Sequence, residues 1–198
     1  MKKNNKILML RASFLLLLLV MFLLPLFSDP EYSIIANTLS ELGAQSAPNG
    51  WIMNFVFLLL ASCTVYAGWG NYKGFIPHRI FLLLFASSLA LAALFHHASI
   101  NPSIQYNMTE NGWHNYFIYT TGLSFTILSI ASGFIQEKEL DRTLALAAGL
   151  SVIFLTIMMS EADRLAGICQ RLIFIISFGW LIYNFGLKDL PGNNQEKS

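Results

Sequence analysis

Six long apolar runs divide the chain, at about residues 7–27, 51–71, 79–98, 114–136, 143–160 and 169–187. Each is close to the roughly 20 apolar residues that a membrane-crossing helix needs. The connections after the first are short, which predicts antiparallel neighbours in sequence order. The pattern predicts an all-α fold. Residues 1–188 form an integral membrane bundle of six transmembrane helices, and the polar tail 189–198, with Pro191 and Gly192, is disordered. The first run has the basic start and Leu-rich centre of a signal peptide. However, Leu26-Phe27-Ser28 offers no small-x-small cleavage site, so the run reads as a retained span.

The longest polar gap before the tail is residues 28–50. Within it, Ile34, Ile35, Leu39 and Leu42 have helical spacing. Asn37 or Thr38 is placed to cap the segment and Gly43 to stop it. The gap therefore predicts a short helix lying on or dipping into the outer surface between spans one and two. In the last span, Gln170, Ser177 and Asn184 recur every seven residues. A polar stripe facing lipid is costly, so this face should turn inward. Ala145 and Gly149 form a small-xxx-small pair suited to close helix packing. Asn49-Gly50-Trp51 and Asn111-Gly112-Trp113 repeat one triplet, and read as similar turn-and-anchor starts of spans two and four.

Charge sets the orientation. Lys2, Lys3, Lys6, Arg11, Lys73, Arg79, Lys138, Arg142, Lys188 and Lys197 fall on one side of the spans, and only Arg164 and Arg171 on the other. Lys and Arg concentrate in cytoplasmic loops, so both termini are expected in the cytoplasm of a cell (plasma or inner) membrane protein. Composition agrees. The chain is 55% hydrophobic and 12% charged, against about 25% charged in soluble domains. Membrane lipids are the expected partners. No basic tract suggests nucleic acid. Cys63 and Cys169 lie in or at the ends of apolar runs and read as packing residues.

The unusual polar residues gather at the outer level. Glu41 sits in the first loop, His96 and His97 at the end of span three, His114 at the start of span four, and Glu161, Asp163 and Arg164 in the fifth loop. Arg171 lies just inside the last span, where a charge needs a partner. Glu41, Asp163 and Glu161 are candidates for that partner, and an anionic ligand is another, because a guanidinium binds phosphate bidentately. The candidate ligand site is therefore Ser40, Glu41, His96, His97, His114, Asp163 and Arg171. No cofactor is expected. Zinc is the metal that His96, His97, His114, Glu41 and Asp163 would suit, although the chain has neither His-x-x-x-His nor His-Glu-x-x-His.

Tyr32-Ser33, then Asn37-Thr38-Leu39-Ser40-Glu41-Leu42-Gly43, then Pro48-Asn49-Gly50-Trp51-Ile52-Met53-Asn54, resemble the bacterial and archaeal membrane family called domain of unknown function 998. Gly167-Ile168-Cys169-Gln170-Arg171 is similar to that family's Gly-x-x-(Gln/Glu)-Arg element at the last span. The resemblance covers essentially the whole chain. It implies a six-span fold related to the DRAM-type membrane proteins, and it points to Ser40, Glu41, Gly43, one of His96 and His97, and Arg171. It implies no established reaction. Three functions remain open. The first is binding of a lipid head group or small anion at the outer face. The second is a metal-dependent or acid–base lipid hydrolase or transferase. The third is transport, which usually places polar groups near the midplane.

Overall fold

The structure is a computed structural model and describes residues 3–187. The expected disordered tail 189–198 lies outside the described residues. Seven α-helices follow in order: α1 Lys3–Leu23, α2 Leu39–Leu42, α3 Gly50–Gly68, α4 Ile76–Leu94, α5 Met108–Ile135, α6 Glu139–Glu161 and α7 Ala166–Gly186. Short 3-10 turns extend α1 (Leu24–Phe27) and precede α7 (Asp163–Leu165). Among the described residues, six helices are long and apolar enough to cross a membrane.

The six long helices close into a ring. α1 packs on α3, α3 on α4, α4 on α5, α5 on α6, α6 on α7, and α7 returns to α1. The crossings alternate, so both ends of the described chain lie at one end of the bundle. The other end carries α2 and is called the α2 end below. Large apolar side chains such as Leu15, Leu19, Phe134, Leu150 and Phe154 point outward. A soluble protein rarely exposes so continuous an apolar surface, whereas lipid covers it at no cost.

Aromatic rings fill the middle of the ring. Phe57 stacks on Phe174 at 5.1 Å, Phe174 on Phe178 at 5.9 Å, and Phe85 meets both Phe178 and Phe125 at 5.8 Å. Below them, buried polar groups pair with one another. Asn184 Nδ2 donates to Tyr72 Oη (2.8 Å), Tyr72 Oη meets Ser132 Oγ (3.0 Å), and Gln136 Nε2 donates to Asn184 Oδ1 (2.9 Å). The seven-residue stripe of Gln170, Ser177 and Asn184 is buried, as its spacing predicts. At the small pair, Ser129 Oγ donates to the Ala145 carbonyl (2.6 Å), and Gly149 lies against Ile130.

Some boundaries differ from expectation. α4 stops at Leu94, so His96 and His97 are in the following loop and do not share a helix. α5 begins at Met108 rather than His114. Asn107 caps it, its Oδ1 accepting from the backbone of Thr109 and Glu110. The two Asn-Gly-Trp triplets are therefore not equivalent. Asn49 is a left-handed turn residue just before α3, whereas Asn111 to Trp113 lie inside α5.

Candidate functional site

The segment before α2 is folded onto the start of α7, and Arg171 holds it there. Its Nη1 donates to the carbonyls of Ile34 (2.9 Å), Asn37 (3.0 Å) and Gly167 (2.9 Å). Its Nη2 donates to Tyr32 Oη (2.8 Å) and the Met21 carbonyl (3.4 Å). The side chain is 3% exposed. No carboxylate forms an ion pair with Arg171 among the described residues, so the expected acidic partner is replaced by a cage of carbonyl dipoles. A guanidinium suits this because its donors fan out in a plane. Glu161 and Asp163 are exposed, and neither bonds to Arg171.

Tyr32 completes the cage. Its hydroxyl donates toward the carbonyls of Asn37 (2.9 Å) and Thr38 (2.8 Å) while accepting from Arg171. Burial pushes its phenol up to about 12, against the opposing pull of Arg171. Gly167 allows the close approach. A Cβ there would collide with the carbonyl oxygens of Asn37, Ile34 and Ile35. Instead Gly167 N–H donates to Ala36 O and Ile168 N–H to Ile35 O, both at 3.1 Å.

α2 is a single turn at the bundle end, with Leu39, Ser40 and Leu42 buried. Glu41 serves that turn. Its carboxylate accepts from Thr38 N–H (2.5 Å), Thr38 Oγ1 (2.8 Å) and Asn37 Nδ2 (3.0 Å), while Glu41 N–H donates to Thr38 Oγ1 (3.3 Å). This is a capping box, in which the side chain of each residue accepts the otherwise orphaned backbone N–H of the other. Gln170 supplies the next acceptor, its Oε1 taking Leu39 N–H (2.5 Å) and Ser40 N–H (3.4 Å). Gly43 follows, and Asn54 Nδ2 donates to its carbonyl (2.9 Å). Ser40, Glu41 and Arg171 are thus brought close together, but as parts of a clamp.

The histidines form a second cluster at the same end. His96 Nδ1 meets Glu110 Oε1 at 2.5 Å, and His96 N–H donates to the same oxygen. His114 Nδ1 lies 2.8 Å from the Ala92 carbonyl and 2.7 Å from the Phe95 carbonyl. Carbonyls only accept, so the ring proton sits on Nδ1. His114 Nε2 is buried with no partner among the described residues. The His97 ring stands edge-on to His114, with centroids 5.4 Å apart. Gln45 ties this loop to the clamp. It donates to the carbonyls of His96 (3.2 Å) and Asn107 (3.1 Å), its N–H donates to His97 O (2.9 Å), and its Oε1 accepts from Asn107 N–H (2.7 Å). Among the described residues no three His, Cys, Asp or Glu side chains stand together as a metal-holding group. The candidates His96, His97, His114, Glu41 and Asp163 do not converge on one point, because Glu41 belongs to the clamp and Asp163 is exposed.

The sequence reading did not single out Glu110 or Gln45. Asn107 followed by Glu110 before an apolar run is a capping signature that would have moved the start of α5 back. Gln45, among small residues in a loop, carries no such signal.

The third feature is an apolar groove of about 450 Å³ between α5, α6 and α7. Toward the chain ends α5 and α6 touch closely, at Ser129 against Ala145 and Ile130 against Gly149. Toward the α2 end the groove lies between them. Tyr119 and Leu123 on α5 and Ile153 and Ile157 on α6 are exposed and line it, while Phe85, Phe125 and Phe178 form its buried floor. Gln170 is also in its wall.

The family model described as "Protein of unknown function (DUF998)" matches residues 12–184. The chain belongs to this family. No curated protein and no solved structure matches it. In this DUF998 protein, the elements that carried the resemblance meet in one place. Gly167, Gln170 and Arg171 clamp Tyr32 and residues 34–41, and Asn54 holds Gly43.

Proposed function

We propose that this multi-pass membrane protein binds a membrane lipid, with the lipid's hydrocarbon part in the groove between α5, α6 and α7. The groove itself carries the reading. Its volume of about 450 Å³ lies within the roughly 300–1,000 Å³ typical of ligand pockets. Its rim residues Tyr119, Leu123, Ile153 and Ile157 are apolar and exposed on helices that face lipid. A chain can therefore enter sideways from the bilayer without crossing water. The asymmetry of Lys and Arg supports an outward-facing α2 end, which would put the groove in the outer half of a cell membrane.

The expected grip of Arg171 on an anionic head group has no support in its hydrogen bonds. Both terminal nitrogens already serve acceptors of the protein. The clamp's role in this reading is to fix the end of α7 that forms the groove wall.

Gly122 provides the test. It lines the groove, and a Cβ there would meet nothing within 4 Å. Gly122→Leu should fill the groove without disturbing the helices. Labelling by a photoactivatable fatty-acyl lipid in nanodiscs, mapped by mass spectrometry, is expected at α5 and α6 of the wild type and absent in the variant. Equal labelling of both proteins at these helices would sink the proposal.

The hydrolase or transferase reading has one observation in its favour, the buried Nε2 of His114 without a partner. A neutral ring protonated at Nδ1 offers that nitrogen as a base. Release of fatty acid from lipid vesicles, compared between wild type and His114→Gln, tests it. Equal rates would remove the reading.

A further inference from the structure

We infer that the groove selects an uncharged lipid bearing hydroxyl and ester groups, such as an acylglycerol, over a phospholipid. This rests on the groove being a lipid site, as proposed above. Its polar groups carry the inference. Most serine and threonine hydroxyls in membrane helices bond back to a carbonyl one turn earlier. Thr64, Thr120, Thr121 and Ser88 do so here. Thr126, Thr156 and Ser177 line the groove, and their hydroxyls have no hydrogen-bond partner among the described residues. Ser177 is 4% exposed and Thr126 8%. A hydroxyl that opens only onto an apolar groove is costly unless something in the groove pairs with it.

Gln170 adds a donor of fixed direction. Its Oε1 is committed to the backbone of Leu39 and Ser40. That orients the amide, and its Nε2 makes one long bond, 3.4 Å, to Ser40 Oγ. An amide nitrogen carries two hydrogens, so one has no acceptor among the described residues. Gln170 and Ser177 are two turns apart on α7, roughly 10 Å at 1.5 Å per residue. The groove therefore offers polar partners along its length. A bare alkyl chain would leave them all unmatched. An acylglycerol, with hydroxyls at one end and an ester below, would match them in order.

Charge argues against a phosphate. Among the described residues, no Asp, Glu, Lys or Arg lines the groove. The adjacent Arg171 donates from both terminal nitrogens into its carbonyl cage. A phosphodiester drawn into the groove would lose hydration and find no cation.

The experiment uses the full-length protein in nanodiscs. The probes are a photoactivatable monoacylglycerol and a phosphatidylglycerol with the same diazirine acyl chain, at equal mole fraction. Labelling of α5, α6 and α7 is read by mass spectrometry. Wild type should label several-fold more with the monoacylglycerol, a comparison that depends on no variant. Thr126→Val with Ser177→Ala should cut monoacylglycerol labelling roughly fivefold, about what lost neutral hydrogen bonds are worth, and leave the phospholipid signal unchanged. Equal labelling by both probes, or a monoacylglycerol signal indifferent to the double variant, overturns the selectivity while groove occupancy stands. Labelling by neither probe overturns occupancy as well.

Discussion

Arg171 shows how a charge in an apolar helix can be held with no countercharge among the described residues. Its terminal nitrogens serve four carbonyls and one phenol. Arg171→Gln leaves several of these acceptors unmatched, at about 1–3 kcal/mol for each that stays buried. Thermal unfolding in detergent should show a clear loss of stability, with lipid-facing positions such as Phe154 serving as neutral controls. Tyr32 belongs to the same cage, and its phenol is raised to about 12 from an ordinary 10.0. The folded state therefore favours the protonated form. Its contribution is fully present below about pH 10 and is lost as pH rises through about 12. The melting-temperature gap between wild type and Tyr32→Phe should hold up to pH 10 and narrow above it. A gap that widens there would contradict the assigned donor.

At the scale of elements, the contact between the turn at 34–37 and the start of α7 depends on a missing side chain. Gly167→Ala drives a methyl group into three carbonyl oxygens that belong to rigid backbone. Such overpacking costs about 1–3 kcal/mol, occasionally more. Gly122→Ala makes the opposite test, because its Cβ meets open space and alanine is better than glycine in a helix by roughly 0.5–1 kcal/mol. Measured by the same unfolding assay, the first should destabilise and the second should not. In the sequence Gly167 opens the Gly-x-x-Gln-Arg element and Gly122 belongs to no motif, but their immediate neighbours are alike, each flanked by residues common in membrane helices. What separates them is the neighbour across the gap.

For the whole molecule, the ring of six helices places both ends of the described chain together, and the distribution of Lys and Arg predicts that this end is cytoplasmic. A green fluorescent protein fused after Ser198 should therefore fluoresce, and alkaline phosphatase at the same point should be inactive. The reverse pair of results would invert the orientation and put the groove in the inner half of the membrane. The helices themselves were legible from hydrophobic run length alone, because lipid forces every backbone group in a span to be paired within it. The inward face of α7 was legible from the spacing of Gln170, Ser177 and Asn184. The end of α4 was not, since two histidines at the edge of an apolar run do not by themselves stop a helix, and it is the bonds of residues 96–98 to Glu110, Asn111 and Gln45 that pull them out of it.

The sequence by itself determined the number of spans, the polar insertion at 28–50 and the family, because these depend on composition and order along the chain. It also marked Glu41, Arg171 and the histidines as unusual for their depth. Glu41 keeps to the local cap of its own helix turn, three residues away. Only the tertiary structure decided the partners of Arg171 and the histidines, and Arg171 turned to carbonyls because backbone from residues far away in sequence arrived nearer than any carboxylate. The groove was likewise a product of packing. It exists because α5 and α6 meet closely at one end, and no periodicity in either helix records the space left at the other.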